Sequence, residues 1–244
     1  KPYSMSDTKY QENINAAGRG FNPTSWSLIL KASSGESGEL AEFCRRYWHP
    51  LYAFARRSGR SAEDAQDLSQ GFFAYLLERD VLQRADAEKG RFRNFLLTLF
   101  KRFMQNEWQR GQAQKRGGDK VKVDYEAAEY SLQDMSELGA DEAYQRAWAL
   151  TLLEQSMKEL EQRFIERGDQ DRWEVMKPYL NGDSEASLRE GAEMLGVTEN
   201  AFTVAIHRLR RDFSKVLRKL VADTLNDPSE VQEELHFLIS LLQK

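Results

Sequence analysis

The sequence predicts an all-α protein made of two small helical bundles joined by a flexible acidic linker, and three observations predict it. Apolar residues recur every three or four positions in several segments, the spacing of one helix face, and no stretch alternates with the period of a strand. Five prolines, 30% charged and 41% hydrophobic residues suit a helix-rich globular chain. At 244 residues the chain fits two domains of ordinary size, and residues 117–146, poor in large apolar side chains, divide it.

Residues 1–23 are polar and aperiodic and are expected to be disordered, with structure starting near Thr24. Phe43, Tyr47, Leu51 and Phe54 mark a first helix, which Pro50 should break or kink and Gly59 should end. Ser61 with Asp64 three positions on reads as a capping box, and Leu68, Phe72, Phe73, Leu76 and Leu77 form the stripe behind it. A turn over 86–90 leads to a third helix, Phe92 to Trp108, with Phe92, Phe95, Leu96, Leu99, Phe100 and Phe103 as its inner face. The first body is therefore 24–116 and the connector 117–146. Leu153, Met157, Leu160 and Phe164 restart the helical stripe, followed by Trp173, Met176, Tyr179 and Leu180, in a second body over 147–222.

The extension 223–244 carries another helix: Asp227 as cap, Pro228 in the first turn, Glu230 three residues after the cap, then Val231, Leu235, Leu238 and Leu242 along one face. That stripe must dock. It either packs back on the second body or masks the basic stretch 206–220 as a regulatory element.

A net charge of −4 gives no global field that would attract nucleic acid, but the charge is sorted. Residues 89–122 hold ten basic residues against two acids, a local +8, and 206–220 hold six against one, a local +5. The acids gather in 124–146, seven against one base for −6, and in 223–234, five for −5. No apolar run reaches the roughly 18–20 residues of a membrane span, and the N-terminus lacks a signal peptide's apolar core, so a cytoplasmic protein is expected. The single cysteine, Cys44, rules out an internal disulfide framework and reads as a buried helix residue. His49, His207 and His236 lie in unrelated segments, and 116–120 lacks the spacing of a phosphate-binding loop. Neither an enzyme nor a metal or cofactor is expected.

Two segments carry nucleic-acid chemistry. In the basic stretch 89–122, Phe92, Phe95, Phe100, Phe103 and Trp108 interleave with the cations, and aromatic faces beside cations suit unstacked bases. The same rings at helical spacing are also what a core needs. Phe92 and Trp108, at the helix ends, are expected to be more exposed than Phe95 or Phe100. Residues 187–211, SLREGAEMLGVTENAFTVAIHRLRR, read as a helix-turn-helix. Ser187 caps with Glu190, Ala192 is small where the helices approach, Gly196 takes the turn, Thr198 caps the second helix, and Phe202, Ile206 and Leu209 face inward. The outward Asn200, Thr203, Val204 and His207 would enter the major groove and the trailing arginines would meet phosphates.

The stretch SAEDAQDLSQGFFAYLL (61–77), followed by KGRFRNFLLTLFKRFMQNEWQR (89–110), resembles the second region of bacterial sigma factors of the small extracytoplasmic-function class. The stretch LGVTENAFTVAIHRLRR resembles their fourth region, and the pair occurs in the family's order across 24–116 and 147–222. The resemblance implies a non-enzymatic transcription initiation factor that binds core RNA polymerase and directs it to promoter DNA. It implies that Asp64, Asp67 and Gln70 dock on the clamp helices of the largest polymerase subunit. It implies that Lys89, Arg91, Phe92, Arg93, Lys101, Arg102, Asn106, Trp108 and Arg110 melt and hold the minus-ten element. It gives the minus-thirty-five element to Ser187, Arg189, Thr198, Glu199, Asn200, Thr203, Val204, His207, Arg208 and Arg211. An anti-sigma protein or another regulator would fit the same surfaces. The recognition helix departs from the family in having Thr203, Val204 and Ala205 where a Lys-Ser-Arg run is usual, which favours apolar contact with thymine methyls. A helix-turn-helix regulator that never joins polymerase, or a sigma-like decoy, is the competing expectation.

Overall fold

A computed structural model describes residues 37–78, 91–111, 128–129, 132–180, 187–225 and 227–243, with the side chains of 37–42, 45, 77–78, 108–110 and 228 outside that description. The protein is all-α: among the described residues there is no strand, and no helix long and apolar enough to cross a membrane. The disorder expected of 1–23, the turn over 86–90 and the glycines at 117 and 118 fall outside the described residues.

Helix α1 spans Ser37–Arg57, α2 Ala62–Glu78 and α3 Phe92–Gly111. α1 runs through Pro50 without the expected break, because the neighbouring Leu51, Tyr52 and Ala53 are all fully buried and packing holds the turn that lacks one hydrogen bond. The helix stops where predicted. Gly59 takes φ +85°, and the Arg60 N–H closes the end on the Ala55 carbonyl at 3.2 Å. Ser61 then caps α2, its hydroxyl accepting from the Asp64 N–H at 3.0 Å. Cys44 is buried in α1, and burial pushes its thiol up to about 11.

The longest helix, α4, Ala140–Glu166, is the structural axis. Its first half seats Ala143, Tyr144, Ala147 and Trp148, all 0% exposed, against α1. The Trp148 ring stacks on Tyr47, with centroids 5.0 Å apart and planes 14° from parallel. Its second half meets α5, Gln170–Met176, after a turn at Gly168 (φ +74°), and Phe164 packs on Trp173 with centroids 5.5 Å apart. A 3₁₀ turn at Lys177–Tyr179, α6 (Leu188–Met194), α7 (Glu199–Ala222), a 3₁₀ turn at Pro228–Glu230 and α8 (Val231–Leu242) complete the chain. α7 and α8 both pack on α4 and on each other.

The described part of 117–146 does not hang between two bodies. Ala128, Leu132 and Met135 are buried and Leu138 packs beside them, a stripe at helical spacing that its small or isolated members hide in the sequence. Part of its acid is paired with α1. Arg56 grips Glu129 through Nε at 2.6 Å and Nη2 at 3.0 Å, Tyr52 donates to the same carboxylate, and the Arg56 contact holds Glu129 below the usual carboxylate range. Arg57 donates from Nε to the Leu138 carbonyl at 3.0 Å. α4 begins seven residues before the expected second body, and one continuous core runs from α1 through α4 to α7 and α8.

Candidate nucleic-acid interface

The helix-turn-helix forms as its local chemistry dictates. The Ser187 hydroxyl accepts from the Glu190 N–H at 3.2 Å while the Glu190 carboxylate accepts from the Ser187 N–H at 2.7 Å, a complete capping box. Gly196 takes φ +63° in the turn, and the Thr198 hydroxyl accepts from the Ala201 N–H at 3.2 Å to start α7. Phe202, Ile206 and Leu209 are buried as expected. The tightest approach is at Gly191 rather than at Ala192. A Cβ on Gly191 would lie 2.4 Å from Phe202 Cζ and 2.8 Å from the Tyr179 hydroxyl. Tyr179 sits edge-on to Phe202, donates to the Ser187 carbonyl at 3.0 Å, and has its own carbonyl clamped by Arg210 at 2.8 and 3.1 Å. Arg210 is therefore a structural residue, although the sequence places it among the trailing arginines expected at phosphates.

The outward face of α7 is open. Asn200, Val204, Arg208 and Arg211 are exposed and follow one another at intervals of three or four residues, and the exposed His207 lies one turn after Val204, so all five share one side of the helix. Glu199 and Thr198 lie exposed at its start, and Thr203 is half-buried with its hydroxyl bonded to the Glu199 carbonyl at 2.8 Å. Arg189 stands on α6 beside Glu193 at 3.0 Å, an exposed pair that screening makes easy to break. Arg208 also lines a cleft of about 530 Å³ between α7, α5 and the end of α4, together with Arg163, Arg167 and Arg172. The open face of α7 thus continues into further cations, with Asp169 and Asp212 lining the same cleft.

The basic helix α3 is disposed differently, and two expectations for it are corrected. Phe92 is not an exposed terminal ring: it is 0% exposed, with its centroid 5.3 Å from Tyr47 and 6.2 Å from Phe43. Being first in the helix does not expose it, because α1 covers that end. Phe100 and Phe103 are likewise buried, beside Phe72 at 5.0 and 5.5 Å, and Phe95 is half-buried. The aromatic stripe whose side chains are described is core.

Arg93 does not lie at the surface: its side chain is 3% exposed, forks onto both oxygens of Glu234 in α8, and donates from Nε to Gln145 at 2.7 Å. Burial pulls this guanidinium below its ordinary range, and the Glu234 carboxylate opposes that effect. Arg91 also meets Glu234, at 2.7 Å, with Glu233 and Glu230 at 3.6 and 3.9 Å. Lys101 pairs with Asp141 at 2.6 Å and lies over the Phe54 ring. Arg102 and Asn106 are exposed, whereas Lys89 and the side chains of Trp108 and Arg110 lie outside the described residues.

On α2, Asp64 and Asp67 are exposed together with Glu63, and Gln70 is half-buried one turn on. The dipole of α2 favours Glu63 and Asp64 on its first turn, so that end of the acidic face needs no partner to be stable. It is nevertheless open to a cationic one. Glu234 is the residue that sequence reasoning missed, although it falls on the stripe of Val231, Leu235 and Leu238 at helical spacing. An acid in an apolar stripe was the available signal. Comparison of the chain with protein-family models, curated proteins and solved structures gives no match.

Proposed function

We propose that the protein is a DNA-binding transcription initiation factor that recruits core RNA polymerase to promoters. The observation that carries the DNA-binding half is the helix-turn-helix: two capped helices locked at Gly191 and Phe202, presenting Asn200, Val204, His207, Arg208 and Arg211 on one open face. Helix placement of this kind fits a major groove, with side chains near the start of α7 at base edges and the arginines at phosphates. The initiation half is supported by the sigma-like order of segments 61–77, 89–110 and 187–211 and by the open acidic face at Asp64 and Asp67. In this reading the segments 24–116 and 147–222 make separate promoter and polymerase contacts from one continuous core in the cytoplasm, with α2 docking on polymerase and α3 on the minus-ten element.

Co-purification with core polymerase, followed by transcription from a melted-bubble template, tests the proposal. Binding with initiation supports it, and Asp64→Lys with Asp67→Lys should abolish the binding while leaving the fold intact. A second reading, a helix-turn-helix regulator that works without polymerase, is favoured by one observation: Arg91 and Arg93 are already engaged by the chain's own tail. Duplex binding without polymerase binding would establish that alternative.

A further inference from the structure

Helix α8 places a carboxylate where its apolar face calls for a hydrophobic residue. Leu235, Leu238 and Leu241 are buried on that face, and Glu234 shares it at 0% exposure. An unpaired carboxylate there is strongly disfavoured, so its partners define what the helix is for. Those partners are Arg91 and Arg93, the two arginines that open α3. Glu230 and Glu233 add acid around Arg91, and Phe237 lays its ring over Arg93 at 5.3 Å. Among the described residues every carboxylate on these two arginines comes from Glu230 or α8 itself, and Gln145 is the side chain on Arg93 that comes from elsewhere.

The same fork of N–H donors that holds a carboxylate holds a phosphate, so a nucleic-acid backbone and Glu234 compete for one binding geometry. A helix of 12 residues is marginal alone in water, so α8 is a helix because it is docked. Outside the arginine pair it is anchored by the leucine stripe, by Arg146 donating to the Leu241 carbonyl at 2.5 Å and by Arg218 donating to Gln232 at 2.8 Å.

We propose that α8 is an intramolecular clasp: Glu234 stands in for a nucleic-acid phosphate on Arg91 and Arg93, and α8 must leave before those two arginines can hold a strand. This rests on the reading of α3 as a nucleic-acid contact. The full chain, Glu234→Lys and Leu238→Asp are compared for binding to a short fluorescein-labelled single strand and to a duplex. Both substitutions expel α8, one by charge and one through its apolar face.

The clasp predicts single-strand affinity raised on the order of tenfold in both variants and a salt dependence steeper by about 1.4 in log–log slope, the contribution of two phosphate contacts on a single strand. Duplex affinity, which depends on α7, should not change. A synthetic peptide of 227–244 added in excess should restore the weak binding. Single-strand affinity that is unchanged or lower, with duplex binding intact, overturns the clasp and leaves the proposed function standing. No nucleic acid bound by any form overturns both. Should the variants fail to fold, the native chain decides: saturating single strand should lower amide-exchange protection across 231–242, and unchanged protection overturns the clasp.

Discussion

Helices α3 and α7 are both rich in cations and present them in opposite ways. On α3, Arg91 and Arg93 are held by α8 and Lys101 by Asp141, while on α7 Arg208 and Arg211 point into solvent beside Asn200 and His207. The difference follows from neighbours rather than from composition. Glu129 and Asp141 from the first acid block meet α1 and α3, and Glu230, Glu233 and Glu234 from the second meet α3, whereas the carboxylate beside Arg211 on the open face of α7 is Asp212 of that same helix, 3.9 Å away. A local charge count therefore measures the cations a segment carries and says nothing of how many remain for an outside partner.

The largest expected effect breaks the idea that these helices belong to separate bodies. Trp148→Ala removes the ring that stacks on Tyr47 at the seam and should cost about 3–5 kcal/mol. Thermal unfolding should remain a single transition, its midpoint lowered by roughly 10 °C. Two transitions, with only one of them shifted, would show that α3 and α7 unfold independently.

Acid should open the same seam. His49 lies half-buried on α1, and burial lowers its pKa from 6.5 to about 4, with Glu154 opposing. Its neutral form is the folded one, so its contribution is complete above pH 6.5 and is lost as pH falls from 6.5 towards 4, by at most about 1.4 kcal/mol per pH unit. Urea unfolding of His49→Gln against the native chain at pH 7 and pH 5 measures this, and the variant should show the flatter dependence.

Arg208→Ala with Arg211→Ala should weaken duplex binding about tenfold and flatten the log–log salt slope by about 1.8, without moving the unfolding midpoint. Arg102→Ala, on the exposed side of α3, sharpens the comparison: it should weaken single-strand binding in the native chain, whereas Arg91→Ala should not until α8 is displaced. The smallest effect belongs to Ser187→Ala, about 1 kcal/mol from loss of the cap on α6, read by urea unfolding.

What was legible in the sequence was what neighbours in the chain decide. The Gly59 stop, the Ser61 and Thr198 caps, the Ser187 and Glu190 box, the Gly196 turn and the inner face of α7 all depend on residues spaced no more than five positions from the next. Their geometry follows from side-chain type and spacing alone. What stayed hidden depends on partners far along the chain. Glu234 reaches Arg93 across 141 positions and Glu129 reaches Arg56 across 73, and no local pattern announces either pairing. The close approach at Gly191 was missed for the same reason, and Phe92, placed on the inner face yet expected to be more exposed than Phe95, is fully buried because α1 covers it. Ala128, Leu132 and Met135 keep helical spacing but lack the bulk that marks a core segment.

Cys44 gives the molecule one practical property. Its thiol is 4% exposed and shifted up to about 11, so at neutral pH almost no thiolate exists to attack a reagent. A cysteine introduced on the outer side of α8, at Ser240 for instance, can then carry a fluorophore without competition from the native thiol. Slow alkylation of Cys44 itself becomes a clock for opening of the α1 core, run in the same tube as the dye that follows the tail.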